Sequence, residues 1–161
     1  MISLHLILRR LADAGFEFVV VGGYAAVLHG SAYVTNDLDI CAVLSPENIG
    51  RLRAALGDMH PVHRMTPGKL SFLEDPVEGQ AVMNLYLETD GGVVDVLGSV
   101  LGIGDYPRLV ENAIEVELFG RKCRLMSLAD LIAAKEALGR EKDLLTAKEL
   151  RAIAAKRRQS S

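Results

Sequence analysis

Asp37 and Asp39 flank a single leucine in the run Asp37-Leu38-Asp39-Ile40, and thirteen residues separate Asp37 from Gly23 of the Gly22-Gly23 pair that ends Val19-Val20-Val21. If both runs are strands, alternate side chains share a face, so the two carboxylates project side by side. Such carboxylates repel unless a cation sits between them. Oxygen-only ligands with room for water and phosphate oxygens suit Mg2+ or Mn2+, and metal held there can clamp the attacking and leaving oxygens of a phosphoryl or nucleotidyl transfer. The glycines supply the other half of such a site. Lacking a Cβ, they let backbone N–H groups approach phosphate oxygens at the positive end of a following helix. Asp95, in Val93-Val94-Asp95-Val96-Leu97, is a third acid in an apolar strand pattern, costly to bury unless paired or bound to metal. The plain alternatives are a solvated strand end for Asp37 and Asp39 and an ordinary turn for the glycine pair.

At these residues the chain resembles the polymerase-beta-type nucleotidyltransferases. The resemblance rests on Val19-Val20-Val21-Gly22-Gly23-Tyr24-Ala25-Ala26-Val27-Leu28-His29-Gly30-Ser31 followed by Thr35-Asn36-Asp37-Leu38-Asp39-Ile40. It is closest to the small branch of abortive-infection toxin-type and minimal nucleotidyltransferases. A second block, Ser127-Leu128-Ala129-Asp130-Leu131-Ile132 through Lys135, Arg140, Lys142 and Asp143, is similar to that branch's lysine–arginine–lysine–aspartate pattern. Where a basic residue is common just before the threonine of the first block, this chain has Tyr33-Val34.

The resemblance implies an α/β fold with a mixed twisted sheet flanked by helices and a C-terminal helical pair. It also implies a metal-dependent transfer of a nucleoside monophosphate from a triphosphate, ATP among the candidates, to an acceptor. Asp37, Asp39 and Asp95 would hold metal. Asp95 would serve the attacking oxygen, Lys135 the developing charge, and Gly22, Gly23, Thr35, Arg140, Lys142 and Asp143 the nucleotide. RNA, tRNA in particular, leads as acceptor over an antibiotic or other small molecule. A cognate protein partner, as in a toxin–antitoxin pair, and an inactive nucleotide-binding regulator are further alternatives, because fold resemblance alone does not establish turnover.

The elements that must position these residues are legible. Leu4, Ile7, Leu8 and Leu11 recur at helical spacing, with Gly15 able to end the helix. Strands are expected over 17–21 and 37–43, with a short helix between them from about Tyr24 to His29. Ser45-Pro46 is an N-cap followed by proline at the first helical position, opening a helix to about Leu56. Residues 57–80, rich in proline and glycine, are expected as loops and short edge strands, and His60 and His63 lack a metal-ligand pattern. Thr89-Asp90-Gly91-Gly92 reads as a hairpin between strands 81–87 and 92–97, and Phe119-Gly120-Arg121-Lys122 as another between 114–118 and 123–126. Ser127 and Asp130 form a capping signal for a helix that places Lys135 on its inward stripe, where it would face an anion, pair with a structural acid or snorkel. Thr146 and Glu149 read as a second capping box before a final helix, leaving Arg140, Lys142 and Asp143 in the connection.

At 161 residues the chain is expected to form one domain, its C-terminal helical segment about 127–157. Half of its residues are apolar (50%) and about a quarter charged (24%), proportions of a soluble globular protein. The longest near-apolar run, Phe18 to Leu28, is too short for a membrane span. Arg9 and Arg10 follow rather than precede the apolar Met1–Leu8 stretch, so no signal peptide is expected. Two widely spaced cysteines, Cys41 and Cys123, argue against a disulfide scaffold or zinc site and suit the cytoplasm. The net charge of −3 hides an asymmetry: residues 1–120 carry seven Lys/Arg against sixteen Asp/Glu, whereas 121–161 carry eleven against five. The basic third, Lys156-Arg157-Arg158 included, could attract a polyanion or be a solvated helical surface.

Overall fold

The computed structural model describes residues 3–160; Met1 and Ile2, which open the apolar N-terminal stretch, lie outside the described residues. Helix α1 (Leu4–Asp13) buries Ile7, Leu8 and Leu11, the stripe its spacing predicts. Strand β1 (Val19–Val21) runs directly into α2 (Gly22–Leu28), so the helix starts at the glycine pair, two residues earlier than expected. Strand β2 (Asp37–Cys41) precedes α3 (Pro46–Leu56), whose N-cap Ser45 accepts a bond from the Asn48 N–H at 3.2 Å.

A 3-10 turn (Gly57–Met59) and the two-residue β3 (Val62–His63) follow. Strands β4 (Asn84–Thr89) and β5 (Gly92–Leu97) form the expected hairpin. A small two-stranded sheet, β6 (Ser99–Val100) with β7 (Gly104–Asp105), leads to α4 (Tyr106–Asn112). Strands β8 (Ile114–Leu118) and β9 (Arg121–Leu125) pair through Phe119 and Gly120, which have φ of 51° and 80°, the left-handed conformations of a tight hairpin turn. Helix α5 (Leu128–Leu138) is capped by Ser127 Oγ, which accepts from the Asp130 N–H at 3.1 Å.

Helix α6 corrects the sequence reading. It runs unbroken over Glu141–Ser160, with no new start at Thr146. The Thr146 hydroxyl donates back to the Lys142 carbonyl at 2.9 Å, a bond made inside a continuing helix. Glu149, the other half of the supposed box, instead reaches Ser31 and Ala32. Lys142 and Asp143 therefore lie in the first turn of α6, and only Gly139 and Arg140 connect the two helices.

The main sheet has seven strands in the order β3-β4-β5-β2-β1-β9-β8. β2 is central, antiparallel to β1 and parallel to β5, while β1 is parallel to β9, so the sheet is mixed as expected. Leu38 and Ile40 of β2, Val94 and Val96 of β5, and Leu85 and Leu87 of β4 are buried together with the apolar stripes of α1 and α3. This burial fixes register, because a one-residue slip would turn every carboxylate of β2 into the core. Cys41 and Cys123 are buried free thiols. No helix among the described residues is long and apolar enough to cross a membrane.

Candidate active site

Register brings the acids together. In the parallel pair of β2 and β5, Asp39 stands opposite Asp95, and on its other side Asp39 stands opposite Val21, the last residue before Gly22. With Leu38, Ile40, Val94 and Val96 turned into the core, Asp37, Asp39 and Asp95 take the other face. Gly22 has φ of +65°, and a Cβ built on it would lie 2.4 Å from Asp39 Oδ2. Glycine is thus required twice at this position, by the backbone conformation and by the carboxylate against it. Gly23 is less confined: a Cβ there would meet Thr35 Oγ1 and the Tyr33 ring at 3.6 Å, ordinary contacts. Thr35 Oγ1 in turn accepts from the Asp37 N–H at 3.3 Å, ordering the loop where it enters β2.

The electrostatics follow from this crowding. Burial, then the neighbouring charges of Asp95 and Asp37, pushes the Asp39 carboxyl up to about 6 from an ordinary 3.8, against the opposing pull of Lys135 and Arg64. Asp95 is held by Arg64, whose Nε and Nη2 donate to Asp95 Oδ1 and Oδ2 at 3.2 and 2.6 Å. The same guanidinium lies over the Tyr86 ring, 5.6 Å from its centroid. Arg64 follows β3 immediately, in the proline- and glycine-rich segment expected as loops and short edge strands, where the sequence assigned a role to no individual residue. The only local signal was its basic charge among the sixteen acids of residues 1–120.

A cavity of about 320 Å³ opens beside Asp39 and Gly22, with Asn84, Tyr86, Lys135 and Arg140 among its lining residues and apolar walls from Leu97, Val100, Leu131 and Leu138. Lys135, on α5, is mostly buried and lies 3.8 Å from Asp143 Oδ1. Arg140 Nε donates to Asp143 Oδ2 at 2.6 Å, and this hydrogen bond holds the buried Asp143 carboxyl below the usual carboxylate range. The structure therefore joins Lys135, Arg140 and Asp143 in one ion network at the cavity edge. Lys142 is exposed and does not line the cavity.

His29 is packed, as its position suggests: its Nε2 lies 2.7 Å from the Met126 carbonyl, and Arg157 donates to the His29 carbonyl at 2.9 Å. Glu149, which the sequence suggests as half of a capping box, instead accepts from Ser31 Oγ at 2.5 Å and from the Ala32 N–H at 3.0 Å, tying α6 to the loop that carries Thr35. His60 and His63 are engaged separately, by the Asp90 carboxylate at 2.6 Å and the Asp75 carbonyl at 2.7 Å.

Asp37 and Asp39 fit a hard divalent cation by donor chemistry, since both offer only oxygen, and a cation would relieve the repulsion that raises Asp39. Asp95 is different because both of its oxygens already receive guanidinium bonds. Among the described residues no three His, Cys, Asp or Glu groups form a preassembled metal cluster.

Neither a protein-family model nor a curated protein sequence matches the chain. Solved structures do. A Thermotoga maritima protein assigned as a nucleotidyltransferase superposes with a TM-score of 0.55 at 21% identity, over 92% of this chain and 94% of its own. The crystal structure of ANT(2″)-Ia with adenylyl-2″-tobramycin gives a TM-score of 0.50 at 15% identity, over 92% and 95%. The solution structure of that antibiotic-resistance factor gives 0.51 at 15%, over 98% and 94%. The mixed seven-stranded sheet with its flanking helices and C-terminal helical pair is thus a nucleotidyltransferase fold.

Proposed function

We propose that the chain transfers a nucleoside monophosphate from a nucleoside triphosphate to an acceptor, with a divalent cation, Mg2+ or Mn2+, at Asp37 and Asp39. The observation that carries this reading is the register that sets Asp37, Asp39 and Asp95 on one sheet face, with Gly22 packed against Asp39. The fold shared with nucleotidyltransferases is consistent with it. When bound, the cation would neutralise the triphosphate and the charge that develops on it. Gly22 lets Asp39 pack against the start of α2, which leaves the Gly22 and Gly23 backbone as the candidate phosphate contact beside the carboxylates, and Thr35 holds the Asp37 backbone. Lys135 and Arg140 present positive charge at the cavity edge, where departing pyrophosphate needs it. Asp95 is the acid left to orient or deprotonate the acceptor hydroxyl. The Lys135, Arg140, Lys142 and Asp143 block supports a place in the abortive-infection-like, minimal branch.

A small acceptor is the leading reading. The cavity beside Asp39, about 320 Å³, falls at the lower end of small-ligand pockets, and ANT(2″)-Ia carries an adenylylated aminoglycoside in its complex. RNA is the second reading, supported by the basic excess of residues 121–161. That excess is partly engaged, since Arg140, Arg151 and Arg157 pair with Asp143, Glu136 and His29.

Pyrophosphate release should be followed with each triphosphate and Mg2+, in the presence of aminoglycosides, other polyhydroxylated small molecules or tRNA. Release stimulated by one acceptor class, and lost in Asp37→Ala and Asp39→Ala variants that remain folded, is the expected result. No release under any combination rejects turnover and leaves a nucleotide-binding regulator, which binding of a labelled triphosphate would reveal. For an RNA acceptor, complex formation with tRNA should weaken steeply with salt, each phosphate contact adding roughly 0.7–0.9 to the log–log slope.

A further inference from the structure

Arg64 brings a positive charge to the carboxylate face, where it pairs with Asp95. Its Nε and Nη2 bind both oxygens of Asp95 at 3.2 and 2.6 Å. Its charge also acts on Asp37 and Asp39. Together with Lys135, it opposes the upward shift of Asp39. Two features fit a side chain that can leave. Its carrier is the residue just after a two-residue edge strand, fixed there by its own backbone N–H to the Tyr86 carbonyl at 3.0 Å, so the anchor does not depend on the side chain. The Arg64 side chain is also 30% exposed against 13% for Asp95, giving the guanidinium a path to solvent across the face of Tyr86 that the carboxylate lacks.

A guanidinium and a divalent cation sharing one small group of carboxylates repel each other, and the repulsion is large where water is partly excluded. We propose that Arg64 is a built-in counter-ion of the carboxylate centre, exchanged for the divalent cation when the centre loads. Asp95 is thereby held in place and neutralised in the empty protein, and it is freed toward Asp39 only when the cation arrives. The guanidinium already lies over Tyr86 and can keep that aromatic face as it leaves Asp95, so the exchange needs no rearrangement of the sheet. The inference rests on the reading of Asp37 and Asp39 as a metal site.

Mn2+ alone is the probe, with free ion counted by electron paramagnetic resonance during titration of the full chain, the Arg64→Ala and Arg64→Lys variants, and Asp39→Asn as the site control. Thermal melts establish that each variant is folded. Deleting the competing guanidinium should tighten Mn2+ binding by about tenfold or more, the weight of a charge-assisted bidentate pair. Arg64→Lys, which keeps the charge but loses the fork, should fall between Arg64→Ala and the unaltered protein. Equal or weaker Mn2+ binding by Arg64→Ala overturns the proposal, because it makes Arg64 a fixed support of Asp95. If Arg64→Ala does not fold, Arg64→Lys is judged by the same criterion. Absence of Asp39-dependent binding in every protein, the unaltered chain included, overturns the metal-site reading itself and this inference with it.

Discussion

Replacing Asp39 by asparagine should make the metal-free protein more stable, an unusual expectation for a residue placed at the centre of a site. The Asp39 carboxyl sits at about 6 rather than 3.8 because burial and the charges of Asp95 and Asp37 disfavour its ionised form. With the folded-state pKa above the unfolded value, the folded protein binds more protons than the unfolded chain between those two pH values. Stability is therefore greatest below that window and is lost as pH rises through it. The full difference amounts to roughly 3 kcal/mol at neutral pH and above. Asparagine keeps the shape and removes the charge, but its amide must still be desolvated, so a gain of about 1–2 kcal/mol is expected. For a chain of this length that raises Tm by about 2–8 °C. Melting curves of both proteins from pH 4 to pH 8, without divalent cation, should show a gap that widens with pH. Adding Mg2+ and a triphosphate should reverse the ranking, since only the native carboxylate gains from the cation. A gap that is absent at pH 8, or the same at every pH, would refute the electrostatic account of the site.

Gly22→Ala should cost at least about 1–2 kcal/mol through its φ of +65° alone. Its methyl would also push Asp39 aside, so triphosphate affinity in a calorimetric titration should fall more than that of Gly23→Ala, where the added carbon meets only ordinary contacts. Asp95→Asn should lower turnover by about 100-fold or more while leaving triphosphate affinity near native, as expected for a group that serves the attacking oxygen; near-native turnover in a pyrophosphate assay would make Asp95 purely structural. Glu149→Ala leaves the Ser31 hydroxyl and the Ala32 N–H without their acceptor, and should cost about 1–2 kcal/mol in denaturant unfolding. The same change should raise KM for the triphosphate through the loosened loop bearing Thr35.

The parts of the site that the sequence made legible are those set by local rules. Alternation placed Asp37, Asp39 and Asp95 opposite the core residues Leu38 and Val94, and the Ser45-Pro46 and Ser127 caps and both hairpin turns lie where their chemistry puts them. What stayed hidden depends on contacts between distant segments. Arg64 reaches Asp95 across 31 residues from the position just after an edge strand of two residues, too short to leave a periodic signal. Glu149 bonds Ser31 across 118 residues, so its resemblance to half of a capping box misled: the helix continued because Ala147 and Leu150 bury against the fold while Glu149 found its acceptor role elsewhere. Lys135 was legible as an inward-facing cation. Its partner Asp143 was not assigned to it, because the continuity of α6 decides where that acid lies.

On the proposed function, this carboxylate face moves a nucleotidyl group. The most direct measurement uses two labelled samples of the triphosphate that supports pyrophosphate release, one labelled at the α-phosphate and one at the γ-phosphate, each incubated with Mg2+, the responding acceptor and the protein. The α-label should become covalently attached to the acceptor, the γ-label should leave with pyrophosphate, and Asp37→Asn with Asp39→Asn should abolish both while the fold is retained. Transfer of the γ-label, or α-label transfer undiminished in the double variant, would contradict that function.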